Sequence, residues 1–255
     1  MVHTVKSDLK ADDWNQEYLK LIETIESLRS KSDEVPKQQL KNYFLLRLIS
    51  FYERFIHAKL INAIDDLPKE SIYQIIGKSV TINSTDLINL ENLTIGKLAV
   101  LNLDNGPKNL GDMIIKILKA KYDRHNFSQI NEKFLFFNFL DQIIKFDNTE
   151  LKRMYTRDGN WYKIIQKLNR ERNSLTHELK NTEMPSEEIY VLFNLYQRFF
   201  QLFTFALELL LSIKDEKIQD SEKIKIYESL RDDSYELKPF DEIKKILERD
   251  LFLKN

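Results

Sequence analysis

Residues 38–63 read QQLKNYFLLRLISFYERFIHAKLINA, and large apolar side chains recur in them at intervals of three and four residues. The recurring residues are Phe44, Leu45, Leu48, Ile49, Tyr52, Phe55 and Ile56. These intervals match the turn of an α-helix and place the side chains on one broad apolar stripe. The segment is therefore predicted to be a helix that buries one face in a core. Pro36 is predicted near its start, where proline is tolerated.

The same periodicity covers most of the chain and predicts an all-α protein. Further helices are predicted at residues 14–29, 109–122, 128–146 and 161–180 and in a long segment that begins near 187. One or two surface helices are predicted within 221–255. Residues 67–111 are less regular and are interpreted as an insert with a short helix near 96–101. Residues 1–215 are assigned to one helical domain, and residues 216–255 are assigned to a C-terminal helical extension.

The composition excludes several classes of protein. The 255 residues include no Cys and only five Gly and five Pro. The lack of Cys excludes a disulfide scaffold, an iron–sulfur cluster and a Cys nucleophile. No P-loop and no G-x-S-x-G element is present in the sequence. Because the formal net charge is −1 at pH 7, any nucleic-acid site must be a local patch.

Residues 191–213, VLFNLYQRFFQLFTFALELLLSI, are long enough to span a membrane but carry Arg198 and Glu208. A charge near the centre of a bilayer costs about 2.5–3.5 kcal/mol on insertion scales. The segment is therefore predicted to be a central or interface helix, with no membrane partner. The N-terminal residues have no apolar segment of the kind found in signal peptides, so a cytoplasmic protein is expected.

Residues 168–177, LNRERNSLTH, bring together the groups best suited to chemistry on a phosphodiester. The chain has only four His, and His177 stands close to Arg170, Arg172 and Asn173. An imidazole can exchange a proton near neutral pH, and a guanidinium can hold a phosphate through two parallel hydrogen bonds. Such a set needs no metal.

The helical geometry separates these groups into two faces. One stripe carries a local basic track made of Lys163, Lys167, Arg170, Ser174 and His177. Arg172 lies about 140° from His177 around the helix and falls on the apolar face with Leu168 and Leu175. An Arg in that position needs a partner or a solvated cleft. Either a buried acid pairs with it, or this face borders a second subunit.

The segment 172–177, RNSLTH, resembles the R-N-x-x-x-H form of the R-x(4–6)-H motif of the HEPN superfamily. It lies late in an all-helical region and before another long apolar helix, as in that family. Residues 48–56, LISFYERFI, and residues 93–98, LTIGKL, are similar to segments of stand-alone bacterial HEPN proteins of the RiboL-PSP type. The resemblance covers about residues 37–215 and implies a HEPN-like antiparallel helical bundle.

The resemblance also implies a metal-independent endoribonuclease that needs no cofactor and acts as a homodimer. His177 would serve as general base or acid, Arg172 would stabilise the scissile phosphate, and Asn173 would orient the histidine or the substrate. The products would carry 2′,3′-cyclic phosphate and 5′-OH ends. The basic track would bind RNA, and a role in bacterial defence or as a toxin, with an antitoxin or defence-complex partner, would follow.

The alternative is a non-catalytic HEPN-like module that binds RNA, a nucleotide or a partner protein within a larger complex. In that case His177 is an ordinary residue at a helix C-terminus, where a cation is favoured. Glu53 is predicted either to pair with Arg172 across helices or to form a surface contact with His57. His57, His125 and His3 are interpreted as ordinary surface or edge residues.

The adjacent aromatic pairs, Phe136-Phe137 and Phe199-Phe200, are predicted to be core or dimer contacts rather than platforms for bases. The acidic pairs Asp12-Asp13, Asp65-Asp66 and Asp232-Asp233 are predicted to be solvated ends rather than metal ligands.

Overall fold

The computed structural model describes residues 11–30, 34–68, 75, 94–100, 107–122, 134–145, 160–178, 180–212 and 236–251. In these ranges the chain is almost entirely helical, which confirms the all-α fold class. The helices are α1 (Ala11–Ser30), α2 (Glu34–Asp65), α3 (Ile95–Val100), α4 (Pro107–Tyr122), α5 (Phe136–Ile143), α6 (Trp161–His177), α7 (Ser186–Ser212) and α8 (Phe240–Asp250). Two short strands, β1 (Ile144–Lys145) and β2 (Glu236–Leu237), pair antiparallel.

The helix predicted at 38–63 is confirmed as α2, with Pro36 in its first turn. Every residue of the predicted stripe is buried except Phe55, which is half-buried. The helices predicted at 14–29, 96–101 and 109–122, and the long helix from 187, match α1, α3, α4 and α7 to within a few residues.

Three predicted helices differ from the structure. The helix predicted to reach residue 146 ends at Ile143, because the chain then pairs as β1 and the N–H of Lys238 binds the Ile143 carbonyl at 3.2 Å. The helix predicted to reach residue 180 ends at His177. The helix α8 buries Ile243, Ile246 and Leu247 and is therefore not a simple surface helix. The proposed domain boundary at 215 lies outside the described residues.

The chain divides into two compact units, and their boundary falls within α2, α6 and α7. The first unit contains Met1–Ala58 and Ile165–Arg198. Its core is built from the apolar stripes of α1, α2 and the first half of α7. The rings of Tyr18 and Phe44 each pack on Phe193 with centroids 5.8 Å apart, and Tyr52 meets Tyr196 edge to face at 5.6 Å. These ring contacts fix α2, which carries Glu53, against α7.

The second unit contains Lys59–Ile164 and Phe199–Asn255. Its core is aromatic: Phe136 packs on Phe203 at 5.5 Å, and the fully buried Trp161 packs on Phe199 at 5.2 Å. The start of α6 is held in this unit by two side chains. Asn160 accepts a hydrogen bond from the N–H of Lys163 at 2.9 Å, as a typical N-cap residue does, and Asp141 accepts one from the N–H of Trp161.

The helix α7 is amphipathic rather than apolar all round. Asn194, Gln201 and Glu208 recur at seven-residue intervals and are all exposed. Among the residues that the structure describes, no helix is long and apolar enough to cross a membrane.

Candidate functional site

Arg172 on α6 pairs with Glu53 on α2. The guanidinium Nε lies 3.3 Å from Oε1 of Glu53, and the two side chains are 33% and 15% exposed. The pairing is one of the two alternatives predicted for Glu53, and it supplies the acid that an Arg on an apolar face requires. The structure thus identifies α2 as the helix that holds Arg172.

Asn173 and His177 are exposed on α6 and lie one turn apart. The helix ends at His177, because the N–H of Lys180 donates to the carbonyl of Ser174, six residues back, at 3.2 Å. This bond satisfies one of the carbonyl groups that the end of a helix leaves without an intrahelical partner. Just beyond it, a hydrogen bond from Lys180 lowers the pKa of the exposed Glu178. His177 therefore stands at a defined helix end, open to solvent.

The predicted basic track is present only in part. Lys167 forms an ion pair with Glu188 at the start of α7, so its charge is already matched. Arg170 is exposed and Ser174 is half-buried, both in the first unit. Lys163 is exposed in the second unit. Of the track residues in the described part of the first unit, Arg170 and His177 are exposed, and the neighbouring Asn173 is exposed beside them.

A buried polar cluster that the sequence reasoning missed lies just after α6. Thr182 is only 5% exposed, and each of its polar groups is hydrogen-bonded. Its N–H donates to Asn42 Oδ1 at 3.0 Å, and its carbonyl accepts from Gln38 Nε2 at 2.8 Å. Its hydroxyl donates to Glu171 Oε2 at 2.8 Å and accepts from the N–H of Met184 at 3.1 Å. In the sequence, the one signal of this cluster was the pair of polar residues one turn apart on α2, Gln38 and Asn42.

The order of these contacts gives the direction of α6. Arg172 meets α2 at Glu53, whereas Thr182 meets α2 about three turns earlier, at Asn42 and Gln38. The last part of α6 and the segment after it therefore run antiparallel to α2 within the first unit. His177 stands midway in sequence between these two anchors.

The remaining predicted residues are placed as follows. His57 is buried, with 8% exposure, so its interpretation as a surface residue was wrong; it lies on the core side of α2. His3 and His125 lie outside the described residues. Phe136, Phe137 and Phe199 are buried in the core of the second unit, as predicted, and Phe200 is half-buried.

Among the acidic pairs, Asp65 has a structural role. It is exposed at the end of α2, and its Oδ1 accepts a hydrogen bond from the N–H of Gly96 at 2.7 Å. The side chains of Asp12 and Asp13, and the pair Asp232-Asp233, are outside what the structure describes. The residues it does describe contain no cluster of three or more His, Asp or Glu side chains suited to a metal ion.

The candidate site thus consists of Arg172 supported by Glu53, with Asn173, Arg170 and His177 exposed on the same helix. A guanidinium can bind and stabilise a phosphate, and an exposed imidazole can transfer a proton. A comparison of the chain with protein-family models, curated proteins and solved structures finds no match in any of the three.

Proposed function

We propose that this protein is a metal-independent endoribonuclease whose site is assembled from the R-N-x-x-x-H segments of two copies of the chain. The proposal rests on the resemblance of residues 172–177 to the HEPN motif and on the surroundings of those residues in the first unit. It implies that the enzyme acts on RNA in the cytoplasm. A role in bacterial defence or as a toxin, with a neutralising partner, follows from the resemblance alone.

The observation that carries the proposal is the way Arg172 is held. Glu53 contacts the guanidinium at Nε, which lies 3.3 Å from Glu53 Oε1. An Arg that is fixed at Nε can still offer both terminal nitrogens to a phosphate through parallel hydrogen bonds. A half-buried Arg with a carboxylate next to its Nε is better suited to binding a phosphate than a mobile surface Arg, because its orientation is set before the substrate binds.

The proposed reaction is a transesterification within the RNA. The imidazole of one His177 removes the proton from the ribose 2′-OH, and the 2′-oxygen attacks the adjacent phosphorus. The P–O5′ bond breaks, and the 5′-oxygen takes a proton from the imidazolium of the second His177. Arg172 stabilises the negative charge on the phosphate oxygens during the attack. The products carry a 2′,3′-cyclic phosphate and a 5′-OH.

Helical geometry supports the two copies that the resemblance implies. Arg172 and His177 are separated by about 140° around α6, so the face that carries Arg172 can border a second copy at the edge of the cleft. A second copy that brings its own α6 across the first supplies the second imidazole that the reaction needs. Asn173 shares the exposed face of His177 and is proposed to orient the imidazole or the substrate.

The test is RNA cleavage in excess EDTA with the wild-type protein, His177→Ala, Arg172→Ala and Glu178→Ala. Removal of a general acid–base is expected to lower the cleavage rate by about 10²–10⁴-fold. Glu178→Ala is the matched control, because it removes an exposed side chain one residue beyond His177. The control is expected to cleave at the wild-type rate with cyclic-phosphate ends.

Circular dichroism and sizing of each variant show whether the fold and the dimer persist. Equal cleavage by the wild type and His177→Ala would remove His177 from the reaction and indicate another site or a contaminant. If the wild type binds RNA but leaves it intact under every condition, the non-catalytic HEPN-like module becomes the better description.

A further inference from the structure

The segment that follows α6 is tied back to two helices at once. Thr182 lies outside any helix, yet its hydroxyl reaches Glu171 on α6 and its backbone reaches Asn42 and Gln38 on α2. Asn42 also donates to Asn181 Oδ1 at 2.7 Å. Such a set of mutually satisfied groups around the buried Thr182 specifies one arrangement, because a displacement leaves several of them without partners.

The hydrogen bond between Thr182 and Glu171 joins two residues eleven positions apart and closes a loop that contains His177. On the N-terminal side of His177, the pair of Arg172 with Glu53 fastens α6 to α2, and on the C-terminal side the backbone of Thr182 does so. The helix end that carries His177 is therefore held on both sides, although His177 itself is exposed.

We propose that Thr182 is a positioning residue for His177: it fixes the last turn of α6 against α2 and so fixes the direction in which the imidazole is presented. The structural part of this proposal rests on the hydrogen bonds alone. Its consequence for catalysis rests on the proposed ribonuclease function. Glu171 takes part through the same hydrogen bond. The side chain of Thr182 does not itself touch the substrate, so its role is to position His177.

The decisive variant is Thr182→Val, because valine has nearly the same shape and removes only the hydroxyl. It deprives Glu171 of its donor and the N–H of Met184 of its acceptor, and it keeps both backbone bonds to α2. Thr182→Ser keeps the hydroxyl and is the conservative rescue. Thr24→Val is the matched control, since it also removes a hydroxyl that donates a hydrogen bond, here to the backbone carbonyl of Lys20 at 2.7 Å on the exposed surface of α1.

Three readouts are compared in the full-length protein. Amide hydrogen exchange at residues 173–177 is expected to become about tenfold faster in Thr182→Val, as expected when one buried hydrogen bond is lost. The carbon–proton NMR resonances of the His177 imidazole are expected to shift in the same variant. The kcat for RNA cleavage is expected to fall about tenfold with little change in KM, because the imidazole and not the phosphate-binding group is displaced. The variants Thr182→Ser and Thr24→Val are expected to match the wild type in all three.

The outcomes separate this proposal from the proposed function. If Thr182→Val changes neither the exchange nor the imidazole resonances, Thr182 does not position His177 and the inference is overturned. The same holds if the exchange changes while kcat stays at the wild-type value in an active enzyme. If the wild type cleaves no RNA, the ribonuclease proposal fails, and the exchange and resonance readouts still decide whether Thr182 controls the end of α6.

Discussion

Asp141 is expected to make the stability of this protein depend on pH. It is partly buried on α5, and its Oδ1 accepts a hydrogen bond from the N–H of Trp161 at 2.9 Å. Burial raises the pKa of Asp141 from 3.8 to about 6, while the Trp161 hydrogen bond acts in the opposite direction. Because the native pKa lies above the unfolded pKa, the native state binds the proton more tightly. The resulting stability is present below the unfolded pKa of 3.8 and is lost as the pH rises through about 6.

The size of the effect follows from the difference between the two pKa values. A difference of about two units corresponds to about 3 kcal/mol in the free energy of unfolding once the pH is above both values. Asp141→Asn removes the charge and keeps a carbonyl oxygen that can accept the Trp161 hydrogen bond. The variant is therefore expected to be about 3 kcal/mol more stable than the wild type near pH 8 and nearly equal to it near pH 4.

The assay is urea unfolding followed by circular dichroism near pH 4 and near pH 8, with linear extrapolation to water. Asp112→Asn is the matched control, because Asp112 is exposed on α4 in the same unit and its charge is already solvated. It is expected to change the free energy of unfolding by less than about 0.5 kcal/mol at both pH values. A stability gain in Asp141→Asn that is equal at the two pH values would refute the reasoning, because burial of a charge would then not be its cause.

Three further predictions concern packing, the arginine and the dimer. A Cβ at Gly96 would lie 2.6 Å from the carbonyl oxygen of Ile61, so Gly96→Ala is expected to lower the free energy of unfolding by about 1–3 kcal/mol; Gly111→Ala, where nothing lies within 4 Å, is expected to raise it by about 0.5–1 kcal/mol. Glu53→Ala is expected to lower the free energy of unfolding, measured in urea, by about 1 kcal/mol, a modest value because Arg172 is partly exposed. It is also expected to reduce the rate of RNA cleavage more than Glu53→Gln does. If the active site needs two chains, dilution below the dimer dissociation constant is expected to lower the activity per protomer about tenfold for each tenfold dilution. The two-chain site would be contradicted if the activity per protomer stayed constant at concentrations where sizing shows monomers.

The sequence predicted most of the helices because each buries a regular apolar stripe, as α2 does. It did not predict where α5 and α6 end. The end of α5 depends on Ile144 pairing with Leu237, a contact between residues far apart in the chain. The end of α6 depends on the N–H of Lys180 binding the Ser174 carbonyl, which is a matter of local backbone geometry. Periodicity carries neither kind of information, since it records only which side of a helix is apolar.

The candidate site, like the helix boundaries, could be predicted from the sequence only in part. An Arg on the apolar face of a predicted helix required a partner, and Glu53 was one of the two arrangements proposed. The role of Thr182 was not foreseen, because its partner Gln38 is 144 residues away and neither residue type is rare or reactive. His57 was misassigned for the opposite reason: histidine is common at surfaces, and only the packing of α2 reveals that this one is buried.

The two anchors of α6 act on different parts of the proposed chemistry. Glu53 holds the guanidinium of Arg172, and Thr182 holds the helix end that carries His177. Glu53 contacts the guanidinium itself, whereas Thr182 is proposed to act on His177 through the backbone of the helix end, so the loss of each contact is expected to displace a different group most. Loss of the Glu53 contact should therefore weaken phosphate binding and appear in KM, whereas loss of the Thr182 hydroxyl should misdirect the imidazole and appear in kcat. A single helix fixed in this way can present a phosphate-binding group and a proton-transfer group on two different faces, which suits the site that we propose two copies of the chain to share.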